Sequence, residues 1–543
     1  MKKFLLSISV AMFIGVTSFA QETATVQTPK IDQKQWQHAS IEKDSIYGVD
    51  TKDAIQFLKA NKRKPSQIIV GVLDSGVEIT HPDLRDNIWI NAKEVAGNGK
   101  DDDKNGYIDD VNGWNFIGGK DGKNVDGDTL ELTRLYVKYT NLFEKSADKE
   151  QNKSKFPEQF AEYQKVKNEF ENKLAEAKQG AAQYGQLSEV FTAAFPALIK
   201  EWGDKELNQK NMMSFQPQSQ EAKQGMSIFA MLPQEAWEGK TMKEFTDSVL
   251  KEVNEGLKYY KEQVDTNLNI NLDPRPIVGD NYDDLTERFY GNNDVDGPDA
   301  LHGTHVSGII AAKTGNGIGM DGIAGDGYVK IMSVRTVPNG DERDKDIANA
   351  IRYAVDNGAK ILNMSFGKAY SPDKKVVWEA FKYAEKKGVL LIKAAGNDNV
   401  NIDEDIHFPT VYDTNGNVVS NNVITVGANT MDNNNLRASF SNYGKKSVDV
   451  FAPGAAIYST VPNKDGEYKD LDGTSMASPV VAGVAALVWS HYPKLSVQQI
   501  RQVIVDSVNK NDQLKDISIT GGVVDAYKAV QLAEKIYKEN KLK

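Results

Sequence analysis

From about residue 300 onward, short apolar runs rich in β-branched residues alternate with helix-patterned stretches. VKIMSVR (329–335), AKILNMSF (359–366), GVLLIKAAG (388–396), NVITVGAN (422–429) and VDVFAPG (448–454) read as strands buried on both faces. HGTHVSGIIAAK, KDIANAIRYAVDNG, VVWEAFKYAEKKG and VDAYKAVQLAEKIYKE read as helices. An earlier run, SQIIVGVLDSG, is of the same kind and ends at Asp74. This alternation predicts an α/β fold: an open parallel sheet with helices on both faces. Such sheets collect ligands at the carboxyl ends of their strands, where Asp74, Gly396 and Asn397 fall.

The remainder of the chain has a different character. Residues 97–127 are rich in Gly, Asp and Asn and read as loop. Residues 129–274 are charged and helix-patterned, and recurring Phe, Tyr, Trp and Leu argue against a disordered linker. They are expected to form a large, mainly helical insertion, irregular near 205–235. The α/β domain is then split into 68–128 and 275–537. Ahead of it, 21–67 reads as an N-terminal extension, polar and extended to about residue 45, with a helix over 49–64. This stretch is short and shows no clear alternating β/α pattern of its own.

Lys2 and Lys3 precede an apolar run from Phe4 to about Phe19 that closes with Ser18, Phe19 and Ala20. This is the pattern of an export leader, 1–20, cleaved after Ala20. The run is too short for a stable membrane anchor, and no cysteine follows it for lipid attachment. A periplasmic or extracellular location is expected. The chain has no cysteine at all, so bound metal ions are one route to robustness outside the cell. A net charge of −11 argues against a nucleic-acid partner.

The stretch GTSMASPVVAGVAALVW, from Gly473, is a run of small residues suited to one closely packed buried helix. A helix start needs one capping hydroxyl, yet Thr474 and Ser475 stand together there. Amide hydrolysis needs a nucleophile, a base, a group that orients the base, and donors for the oxyanion. Ser475, His302 in DALHGTHVSGIIAA, Asp74 and Asn397 in KAAGNDN supply one candidate each. Singly, each has a plainer reading as a cap, a turn residue or a surface polar group. Together, their order Asp, His, Ser is one of the known triad orders.

At these residues the chain resembles the subtilisin-like serine proteases (subtilases). VGVLDSGVEITHPDL, HGTHVSGIIAA, ILNMSFG, KAAGNDN, VDVFAPG and GTSMASPVVAGVAAL look like that family's motif blocks, in family order. The resemblance implies a subtilisin-like fold and a serine endopeptidase acting on protein or peptide substrates, expected as a monomer. It implies that Asp74 orients the imidazole, His302 is general base and acid, and Ser475 is the nucleophile. Asn397 would donate its side-chain amide to the oxyanion beside the Ser475 N–H, and His305 would be structural. Ser365, Phe366 and Gly367 with Ala394, Ala395 and Gly396 would wall the primary specificity pocket. Gly396 would leave its floor open to Phe, Leu, Tyr or Met. Asp341 and Glu342, in the segment Val337–Arg343, would either favour basic residues upstream or lie in a solvated loop.

GNGKDDDKNGYIDDVNGWNF places Asp101, Asp103, Asn105 and the Tyr107 carbonyl at the spacing of the first half of an EF-hand loop, with Gly106 at the sharp turn. Asp110, or Asp109 in its stead, would close the shell, and the distal Glu of an EF-hand is missing. Five Asp within 101–110 repel one another unless a cation or solvent intervenes, which favours structural Ca²⁺. A binding protein of the same fold with catalysis lost is disfavoured by the presence of all four chemical residues. A metal-dependent hydrolase is disfavoured because no HExxH appears.

Overall fold

Strands form where Val, Ile and Leu recur without polar interruption, and helices where the apolar period lengthens. A computed structural model describes residues 32–540. The expected leader, 1–20, lies outside the described residues. The chain divides into two compact units: Leu132–Leu272, and the residues that precede and follow that segment.

The second unit carries β1 (Ile68–Asp74), β2 (Gly113–Asn115), β3 (Val329–Arg335), β4 (Ile361–Met364), β5 (Leu390–Ala394), β6 (Val423–Asn429) and β7 (Val450–Pro453). A hairpin, β8 (Ile457–Thr460) and β9 (Tyr468–Leu471), follows, and β10 (Val508–Lys510) and β11 (Gly522–Val524) complete the set. Nine of the strands form one sheet in the order β10-β11-β7-β6-β5-β4-β1-β3-β2, parallel except for the β10–β11 pair. From β1 the chain first adds strands on one side, through β3, and then on the other, through β4. The switch point is therefore the carboxyl end of the β1–β4 pair, where open α/β sheets bind ligands.

Helices cover both faces. Val70 and Val72 of β1 pack with the histidine helix (Leu301–Ala311) and the serine helix (Thr474–His491), whereas Leu73 packs on the opposite side with Ile347, Ile351 and Phe381. Each such side chain contributes about 1.5–3 kcal/mol on full burial. Every residue of the serine helix is buried except Ser475.

Several elements depart from the sequence-based expectation. β2 lies within the stretch expected to be loop. Residues Gln33–His38 form a 3₁₀ turn rather than an extended strand. Trp36 there is buried, its Nε1–H donating to the Ala455 and Ala456 carbonyls at 3.2 Å. A four-residue helix, Ile41–Asp44, follows, and the helix expected over 49–64 spans Thr51–Ala60.

The unit Leu132–Leu272 is helical. Its long helix, Pro157–Trp202, and a second, Met242–Glu262, share a core of Phe191, Phe195, Leu198, Trp202, Phe245 and Val249. A capping box between Thr241 and Glu244 starts the second helix. Between them lie only short helices and turns, because Gly, Pro and Gln interrupt the apolar period. Among the described residues no helix is long and apolar enough to cross a membrane.

Candidate active site

Asp74 is the last residue of β1, and its side chain is 2% exposed. Its Oδ1 accepts from His302 Nδ1 at 2.7 Å and from the Ser75 N–H at 2.8 Å. A carboxylate only accepts, so Nδ1 carries the imidazole proton and Nε2 presents its lone pair. Gly303 permits this approach: a Cβ there would lie 2.1 Å from the Gly76 carbonyl oxygen and 3.1 Å from Asp74 Cβ. Burial disfavours the charged imidazole, but the Asp74 carboxylate more than offsets it, and the His302 pKa is raised.

Ser475 opens the serine helix at the neighbouring strand ends. Pro479 has no N–H for the Ser475 carbonyl four residues earlier. That carbonyl accepts instead from Ser365 Oγ at 2.8 Å, and Ser475 Oγ donates to the Ser365 carbonyl at 3.0 Å. Among the described residues, no hydrogen bond joins Ser475 to His302. Asn397 follows β5. Its Oδ1 accepts from the Thr474 N–H (2.8 Å) and Thr474 Oγ1 (2.9 Å), and Thr474 Oγ1 in turn accepts from the Gly396 N–H at 3.0 Å. The carboxamide oxygen is thus held by Thr474, which leaves Nδ2 as the outward donor. One point, where a Cβ on Gly473 would stand, lies 3.5 Å from both Asn397 Nδ2 and Ser475 N. Two donors therefore flank the same small space at a helix N-terminus, an environment suited to an anion.

Ser365, Phe366 and Gly367 leave β4 while Ala394, Ala395 and Gly396 end and leave β5, and the two strands pair in parallel with Met364 beside Lys393. The six residues therefore lie side by side. The gap between the glycines is not open as expected: His407 occupies it. A Cβ on Gly367 would lie 2.2 Å from His407 Cε1, and one on Gly396 would lie 3.0 Å from the same atom. No sequence signal points to His407, because the fold alone brings it between two glycines of other segments. Glu342 is buried rather than part of a solvated loop. His305 is buried with Nε2 on the Lys469 carbonyl, and burial pushes its pKa down to about 3, as suits a structural residue.

In the acidic loop, Glu94, Asp101 and Asp103 each bring a carboxylate oxygen within 4.8 Å of the other two. Glu94 was not anticipated; only its acidic side chain just ahead of the loop could have flagged it. Its Oε1 accepts from the Asp102 and Asp103 N–H groups, and its Oε2 is buried with no partner. Asp110 is not part of this carboxylate cluster. Asn105 Nδ2 donates to Asp110 at 3.0 Å, and its Oδ1 accepts from the Tyr107 N–H. Asp110 also accepts from Tyr353 and Asn91, and burial raises its pKa to about 6. The Tyr107 ring is buried among Trp114, Phe116 and Tyr353.

A family model described as the Subtilase family matches residues 66–522. The chain is 38% identical over 266 residues to Thermitase of Thermoactinomyces vulgaris, covering 47% of this chain and 85% of that protein. It is 40% identical over 246 residues to a thermophilic serine proteinase of Bacillus sp. (strain AK1), covering 44% and 54%. It is 37% identical over 246 residues to the cell wall-associated protease of Bacillus subtilis (strain 168), covering 45% of this chain and only 25% of that protein.

Proposed function

The chain belongs to the subtilase family, and from that premise we propose that it is an exported serine endopeptidase acting on protein or peptide substrates. The observation that carries this reading is the 2.7 Å bond between His302 Nδ1 and a buried Asp74 carboxylate, at the carboxyl ends of the strands where the one non-buried residue of the serine helix also stands. In the proposed reaction, Ser475 Oγ turns from the Ser365 carbonyl to the His302 Nε2 lone pair. His302 takes its proton as Oγ attacks the substrate carbonyl, then returns that proton to the leaving amine. Asp74 holds the tautomer and stabilises the imidazolium. Asn397 Nδ2 and the Ser475 N–H receive the oxyanion. Water then releases the acyl group by the same steps in reverse.

A direct test is digestion of an unfolded protein by the full chain. Phenylmethylsulfonyl fluoride should abolish cleavage, and brief chelation should not. Cleavage insensitive to the sulfonyl fluoride but lost on chelation would overturn the reading. Asn397→Leu should lower kcat by about 10²–10³-fold with little change in KM, because its donor acts on charge that develops only in the transition state. Steady-state kinetics on a single peptide separate the two.

Calcium is proposed as a structural ion. The residues fit it: three carboxylates converge, and Glu94 Oε2 is buried with no hydrogen-bond partner, a lone pair suited to a cation. Glu94, Asp101 and Asp103 would hold the ion, which would neutralise their mutual repulsion and tie the loop to the preceding turn. At a hundred-fold excess over Kd, such an ion adds about 2.7 kcal/mol of stability. Chelation should therefore lower the thermal midpoint by several degrees, and Glu94→Gln should shrink that difference. A melting curve unchanged by chelator would contradict the site.

A further inference from the structure

The run VKIMSVR of β3 ends on a charge, Arg335. Arg335 is 1% exposed, and the β1–β3 register sets its backbone beside that of Asp74. Its guanidinium meets three oxygens from three separate segments. Nε donates to the Ser75 carbonyl at 2.8 Å, Nη2 to the Val125 carbonyl at 2.5 Å, and Nη1 to Asn115 Oδ1 at 3.3 Å. Gly297, in the segment that leads to the histidine helix, packs directly on it: a Cβ there would lie 2.1 Å from Nε. Among the described residues no carboxylate lies within ion-pair distance of it. Asp294, Asp126 and Asp299 act on it from farther away, and burial lowers its pKa to about 10, so it is charged at neutral pH.

These bonds reach Asp74 through Ser75. The Ser75 N–H donates to Asp74 Oδ1 at 2.8 Å, the same oxygen that accepts from His302 Nδ1. Ser75 is therefore held at both ends, by the Asp74 carboxylate on one side and by Arg335 on the other. The Asp74 backbone is fixed separately, its carbonyl accepting from the Thr336 and Val337 N–H groups at 2.9 and 3.2 Å. Ser75 leads into Gly76, where a Cβ would lie 2.1 Å from the Asp296 carbonyl oxygen, and a Cβ on Gly303 of the histidine helix would lie 2.1 Å from the Gly76 carbonyl oxygen. In so close a fit, a shift of the Ser75–Gly76 turn moves the carboxylate against the imidazole. Without the guanidinium the Ser75 and Val125 carbonyls lose a buried donor, and the turn loses its outer support.

We propose that Arg335 is a positioning residue for the reaction: by holding the Ser75 carbonyl it keeps the Asp74 carboxylate aligned with His302 Nδ1. The proposal rests on the serine endopeptidase reading. Buried as it is, Arg335 acts through Asp74 rather than on the substrate. A carboxylate free to turn loses the 2.7 Å bond to His302, and with it the fixed tautomer of the imidazole. A displacement on the order of 1 Å at such a group costs about 10²-fold in rate.

The test measures kcat and KM of the full chain on one fluorogenic peptide across pH, for Arg335→Met and Arg335→Lys. Fluorophosphonate labelling of Ser475, run to completion, counts the active sites of each preparation. Arg335→Met is expected to lower kcat per labelled site by about 10–10²-fold with little change in KM. Its acid limb of kcat/KM should move to lower pH, because Asp74 raises the His302 pKa and a misaligned carboxylate raises it less. Arg335→Lys keeps a cation and its donors, and should fall between Arg335→Met and the wild type in both readings. In an Asp74→Asn background, Arg335→Met should change kcat by less than about twofold, since residues acting through one group are not additive. A lower thermal midpoint with kcat and the acid limb unchanged would mean that Arg335 only braces the fold, and overturns the proposal. The full loss of kcat recurring in the Asp74→Asn background overturns it as well. Where Arg335→Met does not fold, Arg335→Lys decides, and wild-type values of both kcat and the acid limb overturn the proposal. In each of these cases a wild type that labels and cleaves leaves the endopeptidase reading standing. A native chain that neither labels nor cleaves overturns both.

Discussion

Ser475→Ala is expected to lower kcat on the order of 10⁶-fold, a loss of roughly 8 kcal/mol of transition-state stabilisation. The ground-state role of the hydroxyl is small by comparison. Ser475 Oγ makes one hydrogen bond, to the Ser365 carbonyl, and such a bond contributes about 0.5–1.5 kcal/mol to stability. The helix start is held independently by the Thr474–Asn397 and Gly396–Thr474 bonds and by Ser365 Oγ on the Ser475 carbonyl. The thermal midpoint should therefore barely move while turnover collapses. Calorimetry and kinetics on the same preparation check both, and a variant retaining a tenth of the wild-type turnover would exclude Ser475 as the nucleophile.

Asp74→Asn is expected to cost about 10⁴-fold in kcat. An asparagine keeps the size of the side chain but can donate to the imidazole through Nδ2, which favours the tautomer with the proton on Nε2, where the serine proton must go. The pH dependence supplies an independent check. Activity requires neutral His302, so the rate falls as pH drops through the His302 pKa. Burial alone would lower that pKa; the Asp74 carboxylate raises it above the usual histidine value. Replacing Asp74 removes the raising influence, so the acid limb of the residual kcat/KM should move to lower pH. An acid limb that does not move would mean that Asp74 does not set the charge of His302.

The strand–helix alternation made the main sheet legible, because strands buried on both faces leave continuous apolar runs such as those of β1, β3 and β6. Strands as short as β2, β10 and β11 carry too few residues for any period to appear. They are held by pairing at the two ends of the sheet, β2 on β3 and the β10–β11 pair on β7. Asp74, His302, Asn397 and Ser475 were legible because each sits in a local motif at an element boundary. Spacing alone recommends Asp110 for the proposed cation site. Its Oδ2 accepts from Tyr353, distant in sequence, and the carboxylate that gathers with Asp101 and Asp103 is that of Glu94, from the preceding turn. His407 reaches its place between Gly367 and Gly396 only through the tertiary fold.

The convergence of Asp74, His302 and Ser475 is tested most directly by the rate at which a fluorophosphonate modifies the native full chain, with the adduct mapped by mass spectrometry. A single adduct on Ser475, formed orders of magnitude more slowly in His302→Ala, is the predicted result. No adduct on the folded protein, or a Ser475 adduct that forms equally fast without His302, would contradict it.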